Sequence, residues 1–130
     1  RKEMDERKTA LIEALHRKAK ALFDLAARDE AGSEARKAAD ATFDAAFAEL
    51  AKWIDTTEPD YLPLHIDRMA RTGRPGEALK LLSKKIADSK PDRALFEQRA
   101  RLFEQLGWSH WKEHEERWLL IRFPKAYPPF

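Results

Sequence analysis

The sharpest chemical string in the sequence is His110, Trp111, Lys112, Glu113 and His114, which spells the His-x-x-Glu-His order of a zinc-dependent hydrolase. Residues i and i+4 share one face of a helix, so both imidazoles could reach a single ion while Glu113 served as general base. A catalytic zinc takes three protein ligands plus water, and such hydrolases place their third ligand far downstream. Only 16 residues follow His114. The pair is therefore expected to occupy polar positions on an amphipathic helix, with no metal and no cofactor.

Other routes to chemistry fail for equally physical reasons. A serine nucleophile needs an oriented histidine, an acid and a strained turn, and nothing around Ser33, Ser83, Ser89 or Ser109 supplies them. The glycines at 32, 73, 76 and 107 are scattered at expected helix ends and form no phosphate-cradling loop. His16 and His65 stand alone and read as structural residues. No catalytic residue is assigned.

Aromatic residues are more informative. Trp108, Trp111, Trp118, Phe123, Tyr127 and Phe130 fall within the last 23 positions. Such rings either plug the open end of a helical stack or form a contact patch, because aromatic side chains dominate interface hot spots. These six are the candidate interaction residues.

The chain has 130 residues, enough to bury a real core within one domain. Its 25 Lys and Arg intermix with 23 Asp and Glu for a net charge of +2, the pattern of solvated helix faces and not of a nucleic-acid footprint. Cysteine is absent, which removes disulfides and thiolate chemistry and fits a reducing compartment, with the cytoplasm as the expected location. No window approaches the run of about 20 apolar residues that a membrane span needs. The start at Arg1, directly in helix-forming sequence, suggests a piece of a larger protein.

These residues must be positioned by helices. Leu11, Leu15, Ala19, Leu22 and Ala26 recur in steps of three and four and predict a long amphipathic helix over 2–30. Gly32 and Ser33 supply a stop and an N-cap. Ala39, Phe43, Ala46, Phe47, Leu50 and Trp53 or Ile54 then stripe a second helix over 33–54, pairing with the first as an antiparallel hairpin. Pro59 and the threonines at 56 and 57 break the pattern.

Beyond that break the chain resembles itself. Gly73 and Gly107 lie 34 residues apart, and Leu62 matches Phe96, Ile66 matches Ala100, Met69 matches Phe103 and Ile86 matches Leu120. A 34-residue period with glycine between two helices, and Pro91 or Pro124 after each unit, resembles the tetratricopeptide repeat. Ala78 and Leu82 take that repeat's packing positions, whereas Lys112 and Glu116 depart from them and mark the second unit as a cap. Helices are expected over 59–72, 75–88, 92–106 and 109–122. The fold class is therefore all-α: a single helical domain over 1–130, built from a hairpin over 1–54, two tetratricopeptide-like units over 59–123 and an extended tail over 124–130. About six antiparallel helices would form a right-handed superhelical array.

The run from Leu106 to His110, then Glu116 to Leu119, then Phe123 and Pro124, with Tyr127 and a final Phe130, resembles the C-terminus of the tripeptidyl-peptidase II family. Lys52 with Trp53, Ala78 to Lys80 and Leu11 to Leu15 are similar to the same helical region. The likeness is most specific over 106–130 and weakest over 28–45. It implies a very large cytoplasmic serine exopeptidase with its subtilisin-like catalytic part elsewhere, and a non-catalytic helical domain here that serves homo-oligomeric assembly and active-site gating. Its partners would be other domains or subunits of that peptidase, not nucleic acid or membrane. The alternative is a free-standing adaptor whose groove, with Arg68, Arg71, Lys80 and Lys84, binds a peptide.

Overall fold

The computed structural model describes residues 2–88, 90 and 93–123. Six helices follow one another: α1 (Lys2–Ala26), α2 (Glu34–Ala51), α3 (Leu62–Arg71), α4 (Pro75–Asp88), α5 (Arg93–Gln105) and α6 (Ser109–Arg122). No strand occurs among the described residues, so the fold is all-α as expected. By its internal contacts the chain divides into two compact units, Arg1–Leu62 and Pro63–Phe130.

In the first unit α1 packs on α2. The rings of Phe23 and Phe43 meet edge to face at 5.2 Å, and Phe43 continues to Phe47 at 5.8 Å. Phe43, Ala46, Phe47 and Leu50 are all buried, as their spacing predicts. The alanines let the backbones approach, and the aromatics fill what remains.

The helix ends differ from the sequence reading. α1 stops at Ala26 because Arg28 N and Asp29 N donate to Leu25 O and Ala26 O, tightening the last turn into three-residue steps. Ser33 then caps α2 by accepting from Arg36 N at 3.1 Å, and Arg36 Nη1 donates to Asp29 O, tying the loop to the helix it precedes. α2 ends at Ala51, which leaves Ile54 half-buried and Trp53 42% exposed. α3 begins at Leu62 instead of near 59. Asp55 Oδ1 accepts from Thr57 N at 2.9 Å and Glu58 O accepts from both Tyr61 N and Leu62 N, so side-chain and turn bonds occupy the span.

Leu11 belongs to the predicted stripe yet is 41% exposed, while Ile12 is half-buried. The covered side of α1 runs through Ile12, Leu15, Ala19, Leu22 and Ala26, and Leu11, about 100° round the helix from Ile12, falls outside it.

In the second unit the internal likeness is written in hydrogen bonds. Gly73 has φ +81° and Gly107 φ +76°. Arg74 N donates to Met69 O and Gly73 N to Ala70 O; 34 residues on, Trp108 N donates to Phe103 O and Gly107 N to Glu104 O. Both turns are Schellman closures, which need a left-handed residue and so favour glycine. α4 packs on α5, and α5 packs on α6. Gln98 Nε2 donates to Pro63 O at 2.7 Å and Gln105 Nε2 to Ala70 O at 3.1 Å, joining α5 to α3 about one period apart.

Candidate interaction surface on the last helix

α6 is held from below by charge and by rings. Arg99 on α5 meets Glu115 through two parallel bonds, Nε to Oε2 at 2.8 Å and Nη2 to Oε1 at 2.9 Å. Glu115 is 5% exposed, and the guanidinium also sits 5.4 Å over the Phe96 ring. A bidentate pair of this kind fixes the rotation of α6 about its axis. Leu119, one turn on, is buried on the same face.

That rotation decides where the candidate residues go. Trp118 packs on Phe96 at 4.5 Å, and Phe123, the first residue beyond the helix, packs back on both Phe96 (6.0 Å) and Trp118 (6.3 Å). Trp108 and Trp111 each stack on Phe103 at 6.3 Å. The two indoles remain 48% and 55% exposed. Four of the six candidates thus lie on α6 or its two ends; Tyr127 and Phe130 lie outside the described residues.

Two further apolar residues that the sequence reading did not assign are exposed on α6: Leu120 is 54% exposed and Ile121 81%. A signal for them existed. Successive helix positions are about 100° apart, so a face that buries positions 115 and 119 must leave 120 and 121 outward.

His110 and His114 are both exposed and stand near the edges of the Trp111 ring, at 6.1 and 6.3 Å. Among the described residues no group of three or more His, Cys, Asp or Glu could hold a metal ion. Lys112 reaches Glu104 at 3.4 Å and Glu116 at 3.5 Å, and those carboxylates raise its pKa above the usual lysine value. Where α4 buries Ala78 and Leu82 completely, α6 thus carries an ion-paired lysine and an exposed glutamate. Of the proposed groove cations, Lys80 and Lys84 are exposed one turn apart on α4, and Arg68 and Arg71 are half-buried on α3 with interactions of their own.

No helix among the described residues is long and apolar enough to cross a membrane. These features define an all-α protein of paired helices whose last helix presents an aromatic and aliphatic surface.

The chain is homologous over its whole length to a stretch of tripeptidyl-peptidase 2. It is 35% identical to the tripeptidyl-peptidase 2 of Oryza sativa subsp. japonica over 132 aligned positions and 33% identical to that of Arabidopsis thaliana over 135, covering all of this chain in both cases. The chain spans about 10% of the length of those relatives. No family model matches it, and no solved structure does.

Proposed function

We propose that the chain is the C-terminal helical domain of a tripeptidyl-peptidase II-like serine peptidase, without catalytic residues of its own. The full-length match to a tenth of two tripeptidyl-peptidase 2 relatives carries this reading. The peptidase chemistry then resides in the other nine-tenths, in the cytoplasm. The domain's work is to hold domains or subunits of the parent together, in a homo-oligomer, and so to govern access to its active sites.

Support for the contact role comes from the surface of α6. Exposed Trp, Leu and Ile side chains on a single 14-residue helix are costly in water and gain by burial, about 25 cal/mol for each Å² of apolar surface covered. Repeated Schellman turns 34 residues apart support a tetratricopeptide-like array over 59–123, with the single domain over 1–130 as its frame. The ionic lattice of Lys112, Glu104 and Glu116 in place of small and apolar packing residues supports a capping role for α6.

The test begins upstream. The reading frame preceding Arg1 should encode a subtilisin-like catalytic part, and the isolated chain should release no tripeptide from a peptide substrate that the full-length protein cleaves. A short or unrelated upstream frame, or tripeptide release by the isolated chain, would contradict the proposal and favour the peptide-binding adaptor or an enzyme of another kind.

A further inference from the structure

The hairpin of α1 and α2 has one side that its own core does not use. Met4, Leu11 and Leu25, the large apolar side chains that α1 leaves exposed by 73%, 41% and 47%, follow a seven-residue spacing. Lys18 holds the remaining position of that series and is exposed as well. Apolar residues seven apart mark a helix that packs along a second helix. The line lies about 100° round α1 from Ala19, which is fully buried. A helix at the corner of a four-helix bundle meets its two neighbours through faces about that far apart.

α2 presents a matching face on the same side. Leu15 and Lys18 border an open groove of about 620 Å³ that Ala41, Ala45 and Glu49 border from α2. Large side chains thus stand on one helix and small ones on the other, with opposite charges on the two walls. Lys18 makes no ion pair among the described residues, and Glu49 pairs with Lys52 at 3.1 Å on the open surface, where such a pair contributes little.

We infer that this side of the hairpin binds a second copy of the chain, about a two-fold axis at the level of Lys18 and Glu49, so that two hairpins form a four-helix bundle. A two-fold contact sets one patch against itself. Here it lays α1 of each copy along α2 of the other, large side chains on alanines, and brings Lys18 of each copy to Glu49 of the other. Phe23 meets Phe43 while Lys18 shares its groove with Glu49, so α1 and α2 run antiparallel within a copy, and α1 runs parallel to α2 of the other. The register follows from the helical rise. Leu11 lies seven residues before Lys18, about 10.5 Å, whereas Ala45 and Ala41 lie about 6 and 12 Å before Glu49, so Leu11 enters between the two alanines. The area suffices: 18 residues of α2 span about 27 Å and two helices side by side about 20 Å, or about 540 Å² on each copy. Two such faces exceed the roughly 1,000 Å² that a specific interface needs. This contact is separate from the one proposed for α6.

Sedimentation equilibrium of the 130-residue chain is the test. The mass should rise with concentration toward that of two chains. Lys18→Glu and Glu49→Lys should each weaken association roughly tenfold, because each sets like charges face to face at both contacts, and the double swap should restore it. Leu11→Glu should abolish association, and Trp111→Ser on α6 should leave it unchanged. Circular dichroism of every variant verifies that helix content is kept. A monomer at all concentrations would overturn the inference. So would a dimer that both single swaps leave intact, or one that Trp111→Ser removes, which would assign the association to α6.

Discussion

At the scale of single residues, the Arg99–Glu115 pair shows how a charge can organise an otherwise apolar helix contact. With side chains 22% and 7% exposed, the two partners are unequal. Arg99→Ala strands a carboxylate in the interior and should cost about 3 kcal/mol, whereas Glu115→Ala leaves a guanidinium that can turn to water and should cost less. Urea unfolding midpoints of the two variants check that order. His16 offers a second residue-scale prediction. Burial, and then Lys20, lower its pKa from the ordinary 6.5, although Asp60 pulls the other way. The neutral ring packs against Tyr61 at 4.9 Å. Because the folded pKa lies below the unfolded one, the unfolded chain binds the proton first. Stability is therefore fully present above pH 6.5 and declines as the pH falls below it. His16→Gln should flatten this decline, measured by urea unfolding on both sides of that pH.

At the scale of elements, the two glycine turns make the internal repeat quantitative. An added Cβ would meet nothing within 4 Å at Gly73 or Gly107, so the cost of alanine is conformational alone. Gly73→Ala and Gly107→Ala should each cost about 1–2 kcal/mol, and by similar amounts, since one closure is repeated. Thermal unfolding of both variants tests the equivalence. Helix number, order and inner faces were legible because Phe43, Ala46, Phe47 and Leu50, or Ala78 and Leu82, sit at a spacing that only one face can bury. Helix ends were less so. Asp55 and Thr57 spend their side chains on local turns, and whether such bonds outcompete a helix depends on packing that the pattern does not encode. The outward face of α6 was legible in part. The tryptophans stand out by type, but Leu120 and Ile121 became surface residues only once Glu115 was committed to Arg99.

At the scale of the whole molecule, the exposed apolar side chains of α6 carry the argument furthest. The zinc-like string His110 to His114 resolves into two exposed imidazoles beside Trp111, and the tryptophans around it rest on Phe103 and Phe96 with part of each ring outward. That surface and the homology to a tenth of two tripeptidyl-peptidase 2 relatives are the observations on which the proposed contact role rests. Central to the proposed function is that the α6 surface takes part in holding the parent enzyme together. The most direct measurement is light scattering of the full-length enzyme carrying Trp111→Ser and a deletion of residues 124–130, with circular dichroism to verify helix content. The account predicts a clear fall in particle mass with helix content retained. An unchanged particle mass in the folded variant would contradict it.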